Sequence, residues 1–346
     1  MKIFSARIID NAFNLPRVEK VWCATLAPVL LGVLVAGWAL LVPWTQRVNY
    51  QTLAVDALSE EIRVLGLGTS HLDVMLDPKG FEAPMMNLPQ DIGSYVCLEA
   101  VLAAHLDRVP NLELVLVEMD IVPLMYDTLD VYGGHYAKFL DLDPDLDVLA
   151  QPWSRKLRLR WERALSYSRW TGPLVARRKL APARIRDDLR EARDGPRWPL
   201  DAGHRGIDTR LTPENDGAAI VAIHAEQGSL DYVERNLQAL RRILQRLIDR
   251  RVAVVLVRLP HHHTYWENRP ASWDNAYASA LDQIMLEFGP RGVLYWDFEK
   301  RPTYPDEEFR DGDHLNVHGA KRFTKMLNQR VQERLGSLRS GASQGM

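Results

Sequence analysis

The sequence predicts an α/β fold with a mainly parallel sheet, preceded by one transmembrane helix. Three observations carry this. Short, near-continuous apolar runs alternate with stretches of helical periodicity from residue 62 onward. A charge-free segment of 26 residues, 21–46, lies near the start. The composition, 47% hydrophobic and 25% charged over 346 residues, is that of a folded chain and excludes a disordered or low-complexity protein.

The segment 21–46 is closed by Lys20 and Arg47. It exceeds the length needed to cross a bilayer core, and it ends in bulky residues rather than a small-x-small cleavage site. Lys2, Arg7, Arg17 and Lys20 precede it, while Arg47 alone follows closely. That asymmetry predicts residues 1–20 in the cytoplasm and the rest of the chain outside it, in the periplasm if the cell is Gram-negative.

Beyond the anchor, a domain is expected over 47–335. Its strands are read at Ile62–Leu67, Leu112–Met119, Ala218–His224, Val252–Leu259 and Gly292–Phe298. Runs of this kind suit strands covered on both faces. Apolar residues at helical spacing mark a helix over Tyr232–Arg250, and another is read over Val317–Leu335. The pattern is interrupted at about 151–215. Within 151–200 the net charge is +9, against −2 for the whole chain. This insertion is read as a solvated surface, or as one facing anionic lipid or an acidic polymer. Residues 336–346 read as a flexible tail. The near-neutral total argues against nucleic acid as a partner. Cys23 and Cys97 are the only cysteines, which excludes a disulfide framework or a Cys-rich zinc site.

Two short constellations carry chemistry. Gly66-Leu-Gly-Thr-Ser-His71 follows the first strand, so Ser70 is expected at the C-terminal edge of the sheet, where ligands gather in open α/β folds. Asp311-Gly-Asp-His314 precedes the last helix. Asp and His three apart can share one turn, with the carboxylate accepting from Nδ1–H and Nε2 left to take a serine proton. Asp311 is preferred over Asp313 as that carboxylate, because Asp313 is adjacent to His314 and is not expected to reach Nδ1. Asn316 is expected to cap the helix.

Together, Gly68-Thr-Ser-His71 and Asp311-Gly-Asp-His314 resemble the SGNH/GDSL hydrolase superfamily. With the anchor and His314-Leu-Asn-x-x-Gly-Ala320, the chain looks like membrane-anchored cell-envelope acyl-transfer proteins, such as the DltD proteins of teichoic acid D-alanylation and the alginate O-acetyltransferases. The resemblance implies a three-layer sandwich and a triad of Ser70, His314 and Asp311. It implies an oxyanion hole from the N–H groups of Ser70 and Gly93, the latter in Asn87-Leu-Pro-Gln-Asp-Ile-Gly93. The implied activity is O-acylation of a cell-envelope polysaccharide through an acyl-enzyme, with a multi-pass membrane protein as acyl donor. One departure is clear: the family's third block supplies an Asn, and Val117-Glu-Met-Asp-Ile-Val-Pro123 has none. A missing oxyanion donor can cost about 2.7–4 kcal/mol in the barrier. Two alternatives therefore stand beside transfer: a carbohydrate esterase or deacetylase of the same fold, and a non-catalytic membrane-anchored assembly protein.

His71, Asn87 and His261-His262-His263 are expected to line the substrate. Glu118 and Asp120 either line the cleft or cap a turn, and Asp297 is a reserve acid. No metal or cofactor is expected: three adjacent histidines rarely point at one ion, and His314-x-x-x-His318 lacks the Glu of the zinc-protease motif.

Overall fold

A computed structural model describes Val55 and residues 58–89, 93–127, 209–300 and 302–343. The expected cytoplasmic segment 1–20, the anchor 21–46 and the insertion over 151–208 lie outside the described residues. Among the described residues, no helix is long and apolar enough to cross a membrane.

Among the described residues the sheet has five parallel strands: β1 (Val64–Gly68), β2 (Met85–Pro89), β3 (Leu114–Glu118), β4 (Ala253–Arg258) and β5 (Leu294–Asp297), in the order β2-β1-β3-β4-β5. Four of these match strands read from the sequence. The fifth, β2, is short and Met-rich with an Asn at its centre, and carries little β-propensity of its own. Its register against β1 pairs Gly66 with Asn87.

Between the strands run α1 (Ser70–Met75), α2 (Tyr95–His105) and α3 (Ile121–Met125). After residue 209 come α4 (Gly217–Gln227), α5 (Val233–Asp249), α6 (His263–Asn268), α7 (Ala271–Phe288) and α8 (Val317–Ser343). Alternate residues of each strand feed opposite faces, as a pleated strand requires. On β3, Val115 and Val117 join Leu98, Leu240 and Ile284, which come from α2, α5 and α7. Leu114 and Leu116 point the other way, joining Leu72, Phe323, Leu327 and Val331 of α1 and α8. The sheet is therefore covered by helices on both faces.

Two expectations are corrected. Ala218–His224 is not a strand but most of helix α4. A seven-residue apolar run cannot be assigned by periodicity; Asp216 decides it by accepting from the Ala219 N–H at 3.0 Å as an N-cap. The tail expected from 336 is helical as far as Ser343. Leu338 packs against the core there, and Arg339 makes two hydrogen bonds to Glu113, at 3.0 and 3.1 Å.

The strand order reverses direction between β1 and β3. In open α/β sheets the crevice at that point, beyond the carboxyl ends of the strands, is where ligands bind. The turns after β1 and β3 open into it, and the 311–314 loop folds back over it.

Candidate active site

Thr69 follows β1 and caps α1, its hydroxyl accepting from the His71 N–H at 3.3 Å. Ser70 is the first residue of that helix and is part-exposed, whereas both neighbours are buried. The turn is clamped from beneath by Glu118, the last residue of β3. The Thr69 N–H donates to Glu118 Oε2 at 2.6 Å and the Thr69 hydroxyl to Oε1 at 2.8 Å. Gly68 makes this approach possible: a Cβ there would lie 2.5 Å from Glu118 Oε2.

Ser70 Oγ lies 3.1 Å from His314 Nε2. His314 Nδ1 lies 2.9 Å from Asp311 Oδ1, which also accepts from the His314 N–H at 2.8 Å. Asp311 is therefore placed to hold the ring with its N–H on the Nδ1 side and a lone pair toward the hydroxyl. Burial pulls the imidazole's pKa down. The charges of Asp313 and Asp311 and their hydrogen bonds outweigh it, and His314 is raised to about 9.

Asp313 departs from expectation. Its Oδ1 lies 2.8 Å from His314 Nδ1, an ion-pair contact. The loop is curled so tightly that the N–H groups of Arg310 and Asp311 both point at the His314 carbonyl, at 2.9 and 3.5 Å. Both carboxylates consequently face one ring. Asp313 Oδ2 also lies 2.9 Å from His71 Nε2 and 2.9 Å from His224 Nε2. Burial alone would raise the Asp313 carboxyl, but the His314 charge and hydrogen bonds with His224, His314 and His71 hold it well below its usual range.

His71 and Asn87 do not form the wall expected of them. His71 is 1% exposed, with Nδ1 2.9 Å from Glu118 Oε1 and Nε2 on Asp313. Burial depresses its pKa, yet hydrogen bonds with Asp313 and Glu118, reinforced by both charges, leave it raised well above the ordinary value. Asn87 is wholly buried in β2 and donates to the Leu76 carbonyl at 2.9 Å. Gly93 is buried two residues before α2.

The three histidines after β4 diverge. His261 is buried, 3.4 Å from Glu299 and 3.6 Å from Asp120. His262 is also buried; it caps α6 through Thr264 and reaches Asp306 at 3.1 Å. His263 is exposed. His261 and His263 border a cleft shared with Trp266, Lys300, Tyr304 and Phe309. Beneath it, Arg258 and Arg269 converge on Glu299 at 2.7 and 2.5 Å. Burial opposes the Glu299 charge, but His261, Arg269 and Arg258 prevail and lower its pKa far below normal.

Asp120 is a helix cap, its Oδ1 accepting from the Ile121 and Val122 N–H groups at 2.6 and 3.4 Å. Asp297, expected as a reserve acid, is half-exposed and accepts from the Glu299 N–H at 2.9 Å. Asn316 caps α8, accepting from the His318 and Gly319 N–H groups at 3.0 and 3.2 Å. His262, His263 and Asp306 present ligand atoms within 4.8 Å of one another, the spacing of a group that can hold a metal ion. His71, Asp313 and His314 meet the same spacing, but each of their ring nitrogens already faces a carboxylate or hydroxyl.

Sequence reasoning missed His224, whose role depends on α4 being a helix. It also missed the joint use of Glu118 and Asp313. The local signal available was the Asp216 cap, which turns the following apolar run into a helix and sets His224 on one of its faces.

No model of a known protein family matches the chain, and no curated protein matches it. Among solved structures, an acylhydrolase of provisional assignment from Bacteroides fragilis NCTC 9343 is similar at 10% identity and a TM-score of 0.41. The match covers 84% of this chain and 98% of that one.

Proposed function

We propose that the protein performs serine-dependent acyl-ester chemistry, with Ser70 as nucleophile, His314 as general base and Asp311 as the group that orients it. The observation that carries this reading is the unbroken line from Ser70 Oγ to His314 Nε2 at 3.1 Å and from His314 Nδ1 to Asp311 at 2.9 Å. A serine hydroxyl is a weak nucleophile until a base within hydrogen-bond reach takes its proton. In the proposed first step a bond forms between Ser70 Oγ and the acyl carbon, and the ester C–O bond breaks. The proton passes to His314 and then to the leaving oxygen. The N–H groups of Ser70 and Gly93 are the proposed donors to the oxyanion. A second oxygen, from water or from a polymer hydroxyl, then takes the acyl group.

Transfer to a cell-envelope polysaccharide is the preferred outcome. The charge-free run 21–46 supports it, since an anchor would hold the domain beside that polymer and beside a multi-pass membrane acyl donor. Incubation of the full chain with a serine-directed phosphonate tests the core of the reading: a covalent adduct at Ser70 is expected, and no adduct at any pH overturns it. With a simple aryl acetate, a transferase passes acetyl to added glycan, whereas an esterase releases it to water whether or not glycan is present.

A further inference from the structure

Two consecutive residues on one segment meet two consecutive residues on another. Ser70 faces His314 at 3.1 Å, and His71 faces Asp313 at 2.9 Å. The second contact is deeper, with both side chains 2% exposed. Its far end is closed by Glu118, which lies 2.9 Å from His71 Nδ1 and also holds Thr69. The residues before and after Ser70 are thus fixed to one carboxylate, and the second of them is fixed to the residue before His314.

An ionised carboxylate only accepts hydrogen bonds. With Glu118 on one ring nitrogen and Asp313 on the other, both nitrogens of His71 are placed to donate, an arrangement that favours the cationic ring. It lies edge-on to His314, with ring centroids 4.8 Å apart. We infer that His71 is a positioning residue for the Ser70–His314 pair, tying the nucleophile's turn to the base's loop and offsetting the charge that Asp313 places beside His314. The inference rests on the serine reading above and assigns His71 a role in it other than wall or base.

The charge around this pair comes from several elements. Glu118 and Asp120 approach from the end of β3, and Asp311 and Asp313 from the loop before α8. His224 comes from α4, and its Nδ1 lies 2.6 Å from the Tyr126 hydroxyl. His261 follows β4, with its ring 5.5 Å from that of His71, and Arg310 lies 3.4 Å from Asp311. Removing the His71 cation leaves this surplus of carboxylate acting on His314, so proton release from His314 becomes harder. Removing the Asp313 charge has the opposite effect.

The test follows the His314 ring in the full chain labelled with 15N-histidine, together with the pH dependence of phosphonate labelling at Ser70. His71→Gln keeps a donor toward Asp313 but removes the cation. Glu118→Gln, which keeps an acceptor for Thr69, serves as a second variant. His71→Gln is expected to move the His314 midpoint up by about one pH unit and to slow labelling at neutral pH about tenfold. Glu118→Gln and Asp313→Asn each remove a carboxylate charge and are expected to move the midpoint down. Midpoints that stay in place, or that move in the same direction for His71→Gln and Asp313→Asn, overturn the inference. The ring titration is read without any reaction, so an unlabelled parent chain would defeat the serine reading while the midpoints still judge His71.

Discussion

Gly68 and Glu118 are in such close contact that no side chain fits between them: a Cβ on Gly68 would stand 2.5 Å from Glu118 Oε2 and 2.8 Å from Glu118 Cβ. Glu118 is wholly buried and holds both residues flanking Ser70. Gly68→Ala is therefore expected to push Glu118 off Thr69 and His71. Overpacking of this kind costs about 1–3 kcal/mol. The variant should unfold at lower temperature and also label more slowly at Ser70; unchanged values for both would show that Glu118 can yield without consequence.

Asp311→Asn separates orientation from charge. An amide can sit where the carboxylate does, but it favours the wrong form of the ring. In a hydrolase triad that loss reaches about 10⁴-fold. Here Asp313 Oδ1 still lies 2.8 Å from Nδ1, so a smaller loss, about 10²-fold in kcat, is expected. A loss as large as in other triads would mean that Asp313 cannot substitute.

His314 is raised to about 9 from 6.5, and only its neutral form can accept a proton from Ser70. kcat/KM is accordingly expected to climb from neutral pH and level off above a midpoint of about 9. Stability follows the opposite course. A group with a raised folded pKa stabilises fully below its unfolded value and loses that contribution as pH passes through the folded value. Tm should thus fall between about pH 6.5 and 9 in the parent chain, and fall less in His314→Gln over the same window.

Asn87 tests whether a buried position affects substrate. Its amide donates to the Leu76 carbonyl at 2.9 Å and lies against Gly66. Asn87→Ala leaves that carbonyl unpaired in a dry setting, a cost of about 1–3 kcal/mol. Denaturant unfolding should register that loss, while KM for an aryl ester stays the same. A changed KM would place the side chain nearer the substrate than its burial allows.

How much was legible depended on range. The strands β1, β3, β4 and β5 are near-continuous apolar runs, and α5 carries apolar residues at helical spacing, so each announces itself locally. The Asp311–His314 bond is likewise a matter of one turn. β2 was not legible because Met85–Pro89 has its strand character imposed by pairing with β1. His71 was read as a wall residue because its partners, Glu118 and Asp313, lie 47 and 242 residues away. His224 was hidden by the ambiguity of a short apolar run. Asp313 was discounted on spacing alone, and only the curl of its loop brings it to the ring.

The hydroxyl and the imidazole that face each other at 3.1 Å are 244 residues apart along the chain. During synthesis the serine emerges long before its base. Contacts of such separation form late, after the intervening loops have closed. A nascent chain, or one whose last helix has not docked, thus carries an inert serine, and reactivity switches on only when the final elements fall into place.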